Sequence, residues 1–293
     1  MIAVTLMWSI AGVVSRHLEA ARSFEVTFWR SLFNALALIV LLSWLRGPAA
    51  LVKSVRNGGR ALWVSAACWC VMYTAFMVAI TLTTVANVLV TMAIAPLLTA
   101  LAARLALKHR LAARTWAAIL VAGFGIGWMY AREVSGSGAN HVLGTAIALA
   151  VPVAAAVNWT LIQHMSRRRP GQPGKGDERS SGGDLLPAVL LGALLSAAIT
   201  LPLSLPFAAS AHDLSLLGLL GVVQLAIPCL IAVTVARVLS APEVALLGLL
   251  EVIFGVAWAW AGAGETPSAS VLGGGALVLA ALAANELAAL RSR

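Results

Sequence analysis

The sequence predicts an all-α integral membrane protein, with ten transmembrane helices arranged as two inverted five-helix repeats. Three observations lead there. The 293 residues are 61% hydrophobic and 11% charged, with a mean hydropathy of +0.94, whereas soluble domains carry about a quarter charged residues. The apolar residues fall into runs long enough to cross about 30 Å of hydrocarbon. The second half of the chain also echoes the first.

The runs cover 1–16, 24–45, 61–80, 85–104, 114–131, 142–164, 185–208, 214–236, 239–261 and 270–290. The first begins at Met1 without a basic leader, which argues against a cleaved signal peptide. Between Ala61 and Ala103 there is no charge, and the polar "TLTT" at Thr81–Thr84 supplies the turn that divides two helices. Gly-, Pro- and Ser-rich residues 166–184 read as a flexible cytoplasmic loop.

The net charge of +9 is distributed as a topology signal, not as a nucleic-acid surface. Sixteen of the twenty Lys and Arg fall in the loops joining even to odd segments and at the tail. Basic loops stay in the cytoplasm, so both termini are expected there, in the inner membrane of a bacterium. Cys68, Cys70 and Cys229 lie inside apolar runs without metal or disulfide spacing. The five His sit at segment ends, so no metal site and no cofactor is expected.

"WSIAGVVSR" (Trp8–Arg16) returns as "WTLIQHMSR" (Trp159–Arg167), and Pro96 in the fourth segment falls opposite Glu251 in the ninth. The halves are then 1–136 and 137–293. Five helices per half is an odd number, so the second half inserts upside down. Secondary transporters recurrently use this plan, with the binding site at the midplane between halves.

In its first segment Trp8, in its second "FWRSL" (Phe28–Leu32), in its fourth "APLLTAL" (Ala95–Leu101) and in its ninth "LLEVIF" (Leu249–Phe254) carry a family likeness. With "GAGETPSASVLGGGALVLAA" (Gly262–Ala281), the chain resembles an EamA-type member of the drug/metabolite transporter superfamily along nearly its whole length. The resemblance implies ten helices and export of metabolites such as amino acids. Two departures stand out. Val252 follows Glu251 where the family has Pro, which puts a kink there in doubt. "LKHRL" replaces the acidic residue common after the fourth helix, while Glu265 keeps its counterpart after the ninth.

Helical spacing gives four stripes of small and polar residues suited to a shared cavity. They are Thr5, Trp8, Gly12 and Ser15; Pro152, Ala156, Trp159, Gln163 and Ser166; Gly221, Gln224 and Pro228; and Gly248, Glu251, Gly255, Trp258 and Gly262. Close helix packing explains any single stripe equally well. The candidate cavity residues are Trp8, Ser15, Tyr73, Pro96, Trp159, Gln163, Gln224, Glu251 and Trp258.

Glu251 lies about 12 Å beyond Glu243 at helical rise, near the midplane, where a charge costs about 2.5–3.5 kcal/mol. Three roles stay open: proton coupling, contact with a substrate amine, or a hydrogen bond to another helix. Arg30, about one turn inside the outer end of the second segment, reads as a structural cation that snorkels or holds a carbonyl, with carboxylate binding as the alternative. On the third segment, Trp69, Tyr73 and Phe76 form an aromatic stripe, while Asn87 and Asn158 are polar candidates off the stripes. "GFGIG" (Gly123–Gly127) and "GGG" (Gly273–Gly275) predict close packing of the fifth and tenth helices.

The expected function is a secondary transporter exporting a small polar metabolite by alternating access, its partners being that substrate and the bilayer. Efflux of lipophilic cations is the alternative within transport. A non-transporting intramembrane enzyme or lipid-pathway protein is the alternative from another class. No HExxH, GxSxG or paired intramembrane carboxylates occur, so no enzyme is expected; nor is there a nucleotide motif for an ATP-driven pump. Ten helices suffice for a monomer, and a homodimer is equally compatible.

Overall fold

The computed structural model describes residues 1–15, 17–21, 23–83, 85–107, 112–130, 139–167, 184–263 and 269–291. These are helical almost throughout, with no strand among the described residues. Six helical runs are long and apolar enough to cross a membrane: Phe24–Arg46, Arg60–Leu82, Val142–Ser166, Leu186–Ser204, Ala211–Val235 and Ala241–Trp258. Shorter apolar helices cover Ile2–Ser15, Ala95–Ala106 and Leu272–Asn285. Large apolar side chains face outward, among them Trp44 at 80% exposure, Phe124 at 68% and Leu105 at 81%. Water would not tolerate that belt over so much surface, and hydrocarbon does. The protein is an integral membrane protein.

Several expected helices are interrupted, each with a local cause. The first divides into α1 (Ile2–Trp8) and α2 (Ala11–Ser15). There the Ser9 hydroxyl donates to the Leu6 carbonyl at 2.7 Å and Thr5 to Ile2 at 2.9 Å, competing with the ladder as short hydroxyls do. The second, α3 (Ser23–Arg46), is continuous. The loop expected after it contains a helix, α4 (Pro48–Arg56). Gly47 takes φ +81° before it, a left-handed turn that only glycine adopts cheaply, and Pro48 suits the first helical position. Leu51 anchors α4 to the core, while Lys53 and Arg56 lie in its last turn.

The third helix, α5 (Arg60–Leu82), ends inside the expected Thr-rich turn. The fourth divides into α6 (Val85–Met92) and α7 (Ala95–Leu107). Pro96 explains this break, since it has no N–H to offer the Met92 carbonyl. The fifth and sixth are α8 (Ala113–Tyr130) and α9 (Ala139–Arg167), the latter unbroken despite Pro152.

The seventh, α10 (Leu186–Ser204), is continuous. The eighth runs through α11 (Ala211–Leu219), a wide π-helical turn at Leu220–Ala226, and α12 (Ile227–Val235). Pro228 deprives the Gln224 carbonyl of its usual donor, and the wide turn accommodates that loss. The ninth divides into α13 (Ala241–Gly248) and α14 (Leu250–Ala263), and the tenth is α15 (Ala269–Arg291). The break at Leu249 occurs although Val252 stands where a Pro was looked for. Tight turns bridge it, from Leu249 N to Leu246 O and from Val252 N to Leu249 O, each 3.1 Å. The adjacent Gly248 weakens a helix interior by about 0.5–1 kcal/mol relative to Ala.

The helices enclose two main apolar cores. One is centred on α3, α5, α9, α10 and α12, and includes Leu38, Leu62, Trp69, Ile162 and Val233. The other lies among α7, α8, α14 and α15, and includes Ala100, Ile126, Val252 and Val278. In the second core α8 and α15 meet closely: a Cβ on Gly125 would lie 2.8 Å from the Gly274 carbonyl oxygen. A Gly125→Leu substitution should therefore separate these helices. We expect it to cost about 1–3 kcal/mol, read as a lower thermal midpoint of the detergent-purified protein. An unchanged midpoint would show that the contact is not needed.

Charges close both ends of the bundle. Asp213 accepts from the backbone N–H groups of Glu19 (2.8 Å), Ala20 (3.0 Å) and Ala21 (3.0 Å). Glu25 accepts from Ala208 and Ala209, at 2.9 and 2.8 Å. At the opposite end Asp184 pairs with Arg46 and with Arg237, the latter at 2.8 Å. The expected junction between halves, most of the Gly/Pro-rich loop, "LKHRL" and Glu265 lie outside the described residues.

Candidate functional site

A cavity of about 150 Å³ opens where the two cores meet. That is the size that holds one small organic ring. Its aromatic wall comes from Trp8, Tyr73, Phe76 and Trp159. Trp69 braces this wall from behind, 5.5 Å from the Tyr73 ring and 5.7 Å edge-on to Trp159. On the sixth helix the lining residues are Val151, Ala155 and Trp159, four apart on one α9 face. The fourth helix offers Leu89, Met92 and Ala95; the ninth offers Val244, Gly248, Glu251 and Val252.

The broken helices set the chemistry of the lining. At the α1–α2 break the Trp8 carbonyl accepts from Gln224 Nε2 at 3.3 Å. The wide turn of the eighth helix is what presents Gln224 there. Glu251, the second residue of α14, follows directly on the break at Leu249 and is half-buried against the cavity. Pro96, second in α7, occupies the corresponding place after its own break.

Arg30 also lines the cavity, at 1% exposure. Its Nη2 donates to the Tyr73 carbonyl at 3.1 Å. It thus holds a carbonyl, but it does not snorkel; it is buried in the middle of the bundle. Arg30 and Glu251 act on each other electrostatically without a direct ion pair. Around them two buried polar atoms have no hydrogen-bond partner, Arg30 Nε and Gln224 Oε1, while the Tyr73 hydroxyl meets the Asn34 amide and the Cys229 thiol. Buried polar atoms are seldom left so in native proteins.

Of the residues singled out from sequence, Trp8, Tyr73, Trp159, Gln224 and Glu251 line one cavity, joined by Arg30. The others lie elsewhere. Ser15 ends α2, beyond the break that redirects its helix. Pro96 is buried one residue past the lining Ala95. Gln163 accepts from Ala241 N at 3.2 Å and so caps the start of α13. Trp258 donates from Nε1 to Ser9 Oγ at 3.0 Å, tying α14 to the first helix. Asn158 accepts from Ser65 at 2.6 Å, away from the cavity. The side chain of Asn87 lies outside the described residues. Asn34, fully buried one turn along α3 from Arg30, carried no sequence signal beyond being an amide in an apolar run.

Among the described residues no group of His, Cys, Asp or Glu has the arrangement of a metal site.

Known structures share this architecture. The chain aligns with a solved crystal structure of a protein at 17% identity and a TM-score of 0.75, covering 99% of this chain and 96% of that one. At that identity the likeness speaks for the fold alone. No curated protein matches the chain. Residues 1–131 match the EamA-like transporter family. That match likens the first 131 residues to the EamA-like transporter family, a family of membrane transporters in the drug/metabolite transporter superfamily.

Proposed function

We propose that this protein is a secondary transporter that exports small polar metabolites, amino acids among them, by alternating access around the cavity. The observation that carries the reading is the cavity itself, which brings buried, unpartnered polar atoms between two separate apolar cores. Two cores give two bodies that can rock against each other while the site stays between them.

An arrangement of ten spans in inverted halves is supported by the pairing of the helices. Helices α3 with α10, and α8 with α15, pair across the halves as repeat mates. So do α7 and α13, parts of the fourth and ninth segments. The contact of α5 with α10 is matched by that of α3 with the turn at Leu220–Ala226. The breaks before Pro96 and Glu251 fall at matching places. In this reading Arg46, Asp184 and Arg237 lie at the cytoplasmic face of the inner membrane, with both termini.

The test is uptake into proteoliposomes of a labelled panel of amino acids, amines and organic acids. We expect at least one to enter tenfold faster than into protein-free vesicles. Uptake no faster for any of them sinks the transport reading. Glu251→Gln should lower the rate at least tenfold in protein that still elutes as a single folded species. Unchanged uptake with an unchanged pH profile would remove Glu251 from the mechanism, and loss of folding alone would make it structural.

A further inference from the structure

We infer that Arg30 and Glu251 are the two charged poles of the cargo site, so that it selects small molecules carrying one negative and one positive group. The inference deepens the transport reading and rests on it. Both side chains line the same cavity, and no ion pair joins them. With the Glu251 carboxyl ionised, their charges sum to zero across a gap.

Arg30 is the informative pole. A guanidinium has five N–H donors. A purely structural one, buried to 1% exposure, would spend them on the protein. Here Nη2 reaches the Tyr73 carbonyl, while Nε has no acceptor. Beside it, the Tyr73 hydroxyl meets the Asn34 amide and the Cys229 thiol and so leaves Arg30 Nε free. Arg30 Nε is thus a buried, charged donor without an acceptor. A carboxylate supplies acceptor oxygens only and matches a guanidinium fork.

Glu251 presents the converse. It is acceptor-only when ionised, and its segment contains no basic residue, which suits an ammonium. The same cavity is lined by Trp8, Tyr73, Phe76 and Trp159, an aromatic surface for a short hydrocarbon side chain.

Charge balance then discriminates. A lone cation or anion would leave one unit of uncompensated charge in apolar surroundings, which is costly. A zwitterion adds none and pairs both poles. The cavity volume of about 150 Å³ confines the cargo to one small molecule. This disfavours efflux of lipophilic cations, which would meet the guanidinium of Arg30 unpaired.

The experiment uses the full chain and three probes that share the leucine side chain: leucine, leucinamide (cation) and N-acetylleucine (anion). Binding to the detergent-purified protein and uptake into proteoliposomes are both measured. Wild type should bind and carry leucine at least tenfold better than either ion. Arg30→Gln should lose leucine by tenfold or more and turn toward leucinamide. Glu251→Gln should turn toward N-acetylleucine. A merely structural Arg30 would lower all three probes together, without inversion.

Equal handling of leucine and leucinamide by wild type overturns the charge-pole assignment and leaves transport standing. Leucine binding without uptake of any probe overturns transport and leaves the poles standing. Neither binding nor uptake of any probe overturns both. If Arg30→Gln yields no folded protein, Glu251→Gln and the wild-type contrast decide the matter, with Arg30→Lys expected to keep the order of preference.

Discussion

Asp213→Ala lowers the thermal midpoint of the purified protein and exposes the amides of Glu19, Ala20 and Ala21 to exchange. The carboxylate is fully buried and is the shared acceptor for those three N–H groups. It also forms a capping box with Ser210 at the start of α11. Hydrogen bonds to a charged group contribute about 1.5–3 kcal/mol each. Water at the bundle end can replace part of that, so the net loss should be about 2–4 kcal/mol. Asp213→Asn keeps one acceptor oxygen and should fall between. Glu25 fastens residues 208 and 209 to α3, so the end will loosen without opening fully. Unchanged exchange at the three amides would show that the loop is held by something else.

The second large effect is expected at Gly221. A Cβ there would sit 2.6 Å from Phe33 Cβ, 2.8 Å from Asn34 N and 2.9 Å from Arg30 O. Two of those atoms are backbone, so relief requires α3 and the wide turn of the eighth helix to separate. Gly221→Ala should cost about 1–3 kcal/mol by overpacking, and Gly221→Val more. Because the clash includes the backbone of Arg30, the variant should also raise KM for cargo in whatever protein folds. Gly255→Ala, at a glycine with open space around it, serves as the control and should stay within about 0.5 kcal/mol. Equal midpoints for the Gly221 and Gly255 variants would contradict the close approach.

Much of this was legible before any coordinates, because hydrocarbon permits only helices with satisfied backbones and so imposes length and periodicity on the chain. The break before α7 was carried by Pro96. The break at Leu249 was not, because its tight turns depend on backbone geometry that no residue type announces. Stripes drawn on straight helices explain the misplaced residues. Ser15 shares a face with Trp8 only if α1 continues unbroken, and Trp258 shares one with Glu251 yet points at Ser9 instead. Periodicity tells which residues share a face, not what that face meets. Arg30 was read as an interfacial cation because its depth was counted from the nearer end of its run. Burial in the middle of the bundle follows from how α3 sits between α10 and the eighth helix, a matter of tertiary contact. Helix α4 was missed because its charges made it look like loop, although Pro48 after Gly47 is a start signal.

The contact of Gly125 with Gly274 also bears on how the molecule is made. Helix α8 finds its main partner only in α15, about half the chain later, and α3 likewise waits for α10. During synthesis the early helices must therefore remain in the bilayer with their mates still untranslated. The second core closes only when α15 leaves the ribosome. A chain stopped short of α15 would strand the Gly-rich face of α8 against lipid, making α15 the segment whose arrival completes this core.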